Sequence, residues 1–173
     1  MEKRRRKDLR LQAYDYSQCG AYFVTICTQN RRRLFDIVSG YGVGAAPCGR
    51  PRINLLPLGR IAEAALSRVT AIYDVTVDSY VIMPNHIHFV LVLPEARATA
   101  RVAPTVGRIV GAYKSIVANE WRKRWEREGK QAGAVWQRGY YEHVVRCEED
   151  LLDIRRYIED NPLKWREDPE HAE

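Results

Sequence analysis

Apolar and polar positions along the chain fall into seven segments of regular period. Residues 21–28, Ala-Tyr-Phe-Val-Thr-Ile-Cys-Thr, are rich in aromatic and β-branched side chains and predict a buried strand. From Leu58 to Tyr73 the residues Leu58, Ile61, Ala65, Val69 and Ile72 recur at helical spacing, with Gly59 a small cost near the start. Residues 75–83 alternate and then turn apolar at Tyr80-Val81-Ile82-Met83. Pro84-Asn85 marks a turn, and residues 86–93, His-Ile-His-Phe-Val-Leu-Val-Leu, run as a second strand closed by Pro94. Together they predict an antiparallel hairpin. A long helix is predicted over 106–128 on Val106, Ile109, Val110, Tyr113, Val117, Trp121 and Trp125. Residues 135–145 predict the last strand. Glu148, Glu149 and Asp150 then open a final helix, because acidic groups suit a helix start. It carries Leu151, Ile154 and Ile158 as its core stripe, passes through Tyr157 and stops before Pro162, which disfavours the helical region for the residue preceding it. Gly40, Gly42, Gly44, Gly49, Pro47 and Pro51 make 37–53 a loop or a short irregular hairpin, and 95–104 reads as a loop.

The order is strand, helix, strand, strand, helix, strand, helix. Its first six members predict an α+β fold of the ferredoxin-like or RRM-like type: a βαββαβ antiparallel sheet with helices on one face, plus an appended C-terminal helix. The domain is expected over 21–165, with a basic arm over 1–20 and a polar tail over 166–173.

Charge adds a partner class. The chain of 173 residues has net charge +6, from 28 basic and 22 acidic side chains. Residues 1–33 hold Lys3, Arg4, Arg5, Arg6, Lys7, Arg10, Arg31, Arg32 and Arg33 against Glu2, Asp8 and Asp15, so the excess sits there and the rest is balanced. Such an arm points to a polyanion, most simply nucleic acid, against the plainer reading of a solvated terminus. No apolar stretch approaches the roughly 18 residues of a membrane span, and the basic start lacks the apolar core of a secretory signal. Cys19, Cys27, Cys48 and Cys147 form no Cys-x-x-Cys pair, which argues for reduced thiols in the cytoplasm and against a cysteine-based zinc site.

Two groups of residues offer chemistry. His86 and His88, two apart on a predicted strand, point to the same face and can share a divalent cation; alternatively they are satisfied packing residues. Tyr157 and Asn161, four apart on the last helix, are neighbours on the flank of its core stripe. They too have a plain reading, as a half-buried tyrosine and a helix-ending asparagine. Three functions remain open on this footing: a strand-transfer enzyme, a non-catalytic RRM-like nucleic-acid-binding module displaying Tyr22 and Phe23, and a metal hydrolase using His86, His88 and His143.

In combination the segments are more specific. Pro84-Asn85-His86-Ile87-His88, then Trp136-Gln137-Arg138-Gly139-Tyr140-Tyr141-Glu142-His143, then Arg155-Arg156-Tyr157-Ile158-Glu159-Asp160-Asn161-Pro162 resemble, in this order, the REP-associated tyrosine transposases of the HUH single-tyrosine superfamily. Arg10-Leu11-Gln12-Ala13-Tyr14-Asp15-Tyr16, Gly20-Ala21-Tyr22-Phe23-Val24-Thr25 and Gly111-Ala112-Tyr113-Lys114-Ser115 are similar to that family as well. The resemblance spans about Arg4 to Trp165 and is weak over 37–53 and 95–104.

The resemblance implies a metal-dependent DNA transposase. Its histidine motif falls on His86 and His88, its nucleophile on Tyr157 in preference to Tyr113, and its amide on Asn161. His86, His88 and Asn161 would hold Mg²⁺ or Mn²⁺. Tyr157 would form a 5′-phosphotyrosine with single-stranded DNA bearing a foldback hairpin. Arg4, Arg5, Arg6, Arg31, Arg32, Arg33, Lys114 and Arg138 would contact the DNA backbone, and Trp136, Tyr140 and Tyr141 would either stack bases or pack in the core. No broad apolar stripe is left over once the core is assigned, so a monomer is expected over a homodimer.

Overall fold

The computed structural model describes residues 18–39, 52–95 and 104–165. The basic arm with Arg4, Arg5 and Arg6, the middle of the glycine-rich segment and the polar tail lie outside the described residues. The strands are β1 (Gly20–Cys27), β2 (Asp36–Ser39), β3 (Arg52–Leu55), β4 (Thr76–Ile82), β5 (His86–Leu93) and β6 (Tyr141–Val144). The helices are α1 (Pro57–Tyr73), α2 (Val106–Arg127) and α3 (Glu148–Asp160). The main sheet runs β4-β5-β1-β6, antiparallel at every joint, which is the ferredoxin-like order. The glycine-rich segment is bounded by a separate two-stranded pair, β2 with β3.

Within the main sheet β5 is the best-buried strand, with only Val92 short of full burial. It lies between β4 and β1 and is covered on both faces, which explains its unbroken apolar run. Ile87, Phe89, Leu91 and Leu93 join Tyr22, Val24 and Ile26 under α1 and α2. Val90 and Val92 share the opposite face with Phe23, Val81 and Met83, where α3 packs with Leu151, Ile154 and Ile158. The appended helix therefore covers the second face of the sheet.

Several boundaries differ from the periodic reading. The last strand is four residues long; upstream of it only Trp136 bridges to Thr28. Ile72 is 60% exposed, because α1 turns Leu58, Ala62, Ala65, Leu66 and Val69 inward and packs Tyr73 at its end instead. α2 buries Val106 through Val117 as expected and leaves Trp125 out of the core. Thr105 caps it, accepting the Arg108 amide at 3.2 Å.

Residues 28–35 clasp the turn that precedes β5. Thr28 N–H donates to Asn85 O (2.9 Å), and Leu34 and Phe35 N–H both donate to Pro84 O (2.8 and 3.1 Å). Asn30 and Arg31 within this clasp are left-handed, with φ 55° and 54°. Gly59 is required here: a Cβ on it would stand 2.1 Å from Phe35 O. Its small propensity cost secures a close helix-to-clasp approach.

Candidate active site

The even-numbered positions of β5 carry His86 and His88 onto the α3 face. Both are buried, and their ring centroids lie 4.4 Å apart. His86 Nδ1 lies 2.8 Å from Asn85 Oδ1, an acceptor, so Nδ1 carries the proton and Nε2 the lone pair. His88 Nδ1 lies 2.8 Å from Thr25 Oγ1, on the neighbouring strand. His88 Nε2 faces the Tyr157 hydroxyl at 3.4 Å. Burial pushes the His86 imidazole down to about 3, with the Arg31 charge adding to the effect. His86 is thus neutral, the form that binds metal.

Aromatic rings line this face in a file. Trp165 lies 5.9 Å from His86, and Phe23 stacks on His88 at 5.2 Å. Tyr157 meets His88 at 5.3 Å and Phe23 edge-on at 5.9 Å. Arg33 sits over Trp165 at 5.9 Å and extends the file toward solvent. Tyr157 is 40% exposed, while its hydroxyl reaches the buried His88. Asn161 follows one turn later and is 2% exposed, deeper than its place on the flank of the stripe suggests. The cause is the chain after α3, which turns back so that Pro162 and Trp165 are buried with it.

Tyr113, the competing tyrosine, is buried on the other side of the sheet. Its hydroxyl donates to Ala62 O at 3.0 Å, and burial pushes its ionisation far above the ordinary phenol range. His143 does not join the pair: its Nε2 lies 3.0 Å from Asp150, which also accepts the Arg146 amide at 3.2 Å beside the start of α3. Among the described residues no three His, Cys, Asp or Glu side chains are grouped to hold a metal. That removes the basis of the three-histidine hydrolase. Phe23 packs against both His88 and Tyr157 beneath α3, so the sheet does not present the open aromatic face of an RRM-like binder.

The basic candidates separate. Arg33 and Arg138 are exposed, and Arg31 is half-buried beside the site. Arg32 braces its own surroundings, donating to Ala134 O at 2.7 Å. Lys114 is engaged within the protein: its ammonium donates to Gln137 O at 2.9 Å and to Gly139 O, and burial lowers its pKa. Trp136 packs against Phe35 and Tyr113 and donates to Lys114 O at 3.0 Å, a core role. Tyr140 packs partly against the core, and Tyr141 is 41% exposed. Sequence reasoning did not single out Thr25 or Trp165. Alternation on β1 puts Thr25 on the same face as Phe23, but the pairing with His88 depends on strand register.

The family model of IS200-like transposases matches residues 57–161. The chain belongs to the IS200-like transposase family. The match takes in both histidines, Tyr157 and Asn161, and bears out the resemblance to REP-associated tyrosine transposases. An uncharacterised protein of Haemophilus influenzae is 31% identical over 94% of this chain and 91% of its own length. A second protein of that organism, named as a candidate REP-associated tyrosine transposase, is 24% identical over 87% of this chain and 74% of its own. The solved structure of a REP-associated tyrosine transposase bound to a REP hairpin has a similar fold, with TM-score 0.59 and 17% identity over 90% of this chain and 74% of that one. Among the described residues of this transposase, no helix is long and apolar enough to cross a membrane.

Proposed function

We propose that this transposase cleaves and rejoins single-stranded DNA bearing a foldback hairpin, with Tyr157 as the nucleophile. The observation that carries the reading is the 3.4 Å approach of the Tyr157 hydroxyl to His88 Nε2, made by a partly exposed tyrosine over two buried imidazoles. Tyr157 Oη would attack the scissile phosphorus and the 3′ oxygen would leave. The products are a 5′-phosphotyrosine and a free 3′-OH; the phenol loses a proton and the 3′ oxygen gains one. The covalent bond conserves the energy of the phosphodiester, so a second end can be joined without an external source. The contact to His88 Nε2 places the phenol beside the lone pair that would take the cation, and Thr25 orients His88 through Nδ1.

The donor set suits a loosely held hard cation. Both Nδ1 atoms are engaged within the protein, which turns each Nε2 toward the shared face, and the Asn161 amide is buried one turn from Tyr157. Two imidazoles and an amide without a carboxylate bind such ions weakly, as befits an ion recruited with the phosphate. Mg²⁺ or Mn²⁺ held by His86, His88 and Asn161 would withdraw charge from the scissile phosphate. Arg31 and Arg33 lie on the same side and would supply salt-dependent phosphate contacts, with Arg4, Arg5, Arg6, Arg32 and Arg138 as further candidates. The relative solved with a REP hairpin supports this class of substrate for the present chain. The chain is proposed to act as a monomer.

The test uses 5′- and 3′-labelled hairpin DNA from repeats flanking the gene, shown beforehand to bind, with Mg²⁺ and denaturing gels. A protein-linked 5′ end in the native protein, absent in Tyr157→Phe, is the expected result. Hairpin binding with no adduct at any metal concentration would leave a DNA-binding protein and overturn the tyrosine mechanism.

A further inference from the structure

We infer that Asp78 and Arg155 form a positioning clamp that sets the rotation of α3 and thereby the reach of Tyr157 to His88. The inference rests on the proposed role of Tyr157. The pair is bidentate: Arg155 Nε donates to Asp78 Oδ2 at 2.8 Å, and a second guanidinium N–H donates to Oδ1. A fork on a carboxylate fixes direction as well as distance, which a single contact to a lysine does not.

Asp78 reaches α3 because β4 is irregular at that residue. Val77 pairs with Leu91 and Ser79 with Val90, so Asp78 is the extra residue of a bulge. In a regular strand Val77 and Ser79 would share a face. Here Val77 stays with the α1 side, while Ser79 and Val81 pair with Val90 and His88 on the α3 side. Bulges redirect side chains in this way. This one offers a carboxylate to α3 at the outer edge of the sheet.

The helix needs such a support. Ile158 is its one fully buried residue, backed by the partly buried Leu151 and Ile154. A narrow stripe of that kind resists sliding better than rolling. At about 100° per residue, Arg155 and Tyr157 stand on opposite flanks of the stripe, about 200° apart. A roll that releases one therefore displaces the other. The clamp sits on the β4 side and the phenol over the histidines. Since a misplacement of about 1 Å at a reacting group can cost about a hundredfold in rate, control of this roll bears directly on catalysis.

The experiment uses the full chain with ring-labelled tyrosine, the Tyr157 signals being assigned through Tyr157→Phe. Native protein, Asp78→Asn and Arg155→Lys are compared by single-turnover adduct formation, hairpin affinity and tyrosine NMR. The clamp predicts a rate at least about tenfold lower in Asp78→Asn, with hairpin affinity unchanged. It also predicts Tyr157 signals moved toward free tyrosine, with the buried Tyr22 and Tyr113 signals in place. Arg155→Lys, which keeps charge and loses the fork, should fall between, and decides the matter if Asp78→Asn does not fold. Unmoved Tyr157 signals with a native rate would reduce the pair to an ordinary ion pair and overturn the inference. So would concerted movement of the Tyr22 and Tyr113 signals, which marks a general structural loss. If native protein forms no adduct, the nucleophile assignment fails on its own, and the NMR comparison still decides whether the clamp holds α3.

Discussion

Tyr157 and His88 are 69 residues apart in sequence, yet the phenol oxygen of one stands 3.4 Å from Nε2 of the other. The contact joins the last helix to the central strand across the face that the other two helices leave open. Tyr157→Phe removes one hydroxyl at a partly exposed site. Stability in urea should fall by no more than about 1 kcal/mol, the net worth of one long hydrogen bond, so the variant stays folded. Covalent DNA adducts should vanish on denaturing gels while hairpin affinity is retained.

Thr25 supports the site from the adjacent strand, its hydroxyl 2.8 Å from His88 Nδ1. Thr25→Val keeps the shape and loses the hydrogen bond. The expected outcome is Mn²⁺ affinity weaker by about 10- to 100-fold in the hairpin complex, as for other partners that orient a metal-binding histidine. Calorimetric titration of Mn²⁺ gives the answer, and an unchanged affinity would remove Thr25 from the site.

Lys114 separates structural from DNA-contacting cations. Lys114→Met deletes two hydrogen bonds from a partly buried ammonium to the backbone at Gln137 and Gly139. Stability measured by urea unfolding should fall by about 1–3 kcal/mol. The salt dependence of hairpin binding should keep its slope, whereas loss of a phosphate contact lowers that slope by roughly one.

Gly59→Ala should be costly although alanine is the better helix former. The new methyl would meet the Phe35 carbonyl, a backbone group that also receives the Leu56 amide at 2.8 Å and cannot move freely. Overpacking of this kind costs about 1–3 kcal/mol. The effect is read by denaturant unfolding, and a stabilised variant would contradict the close approach.

Acid should loosen α3. The Arg155 guanidinium, hydrogen-bonded to Asp78, holds that carboxyl below its ordinary value, against the opposing pull of partial burial. Its folded value therefore lies below its unfolded one. The clamp contributes fully above the ordinary carboxylate range and is lost as pH falls through the depressed folded value. The stability difference between native protein and Asp78→Asn should be constant from pH 7 to about 5 and shrink below about 4. Thermal unfolding across that range measures it, and a difference that persists at the acid end would place the stabilisation elsewhere.

Much of this protein follows from local rules. The alternation on β4, the unbroken run of β5 and the three-four spacing of α1, α2 and α3 each reflect which side chains must leave water, and that is readable from residue type and spacing. The shared face of His86 and His88 follows from the two-residue repeat of a strand, and Tyr157 with Asn161 from the pitch of a helix. Register, and the face that α3 covers, are non-local. The pairing of Thr25 with His88, the burial of Asn161 by the returning chain, and the bulge that delivers Asp78 to Arg155 depend on how separate segments settle against each other. Lys114 shows the same limit: an ammonium looks alike in sequence whatever it meets, and the carbonyls of Gln137 and Gly139 come within its reach only in the folded chain. The sequence by itself determined the elements and the chemistry they carry. Tertiary structure decided the distances between them, because those are set by the docking of whole faces and not by any one segment's period.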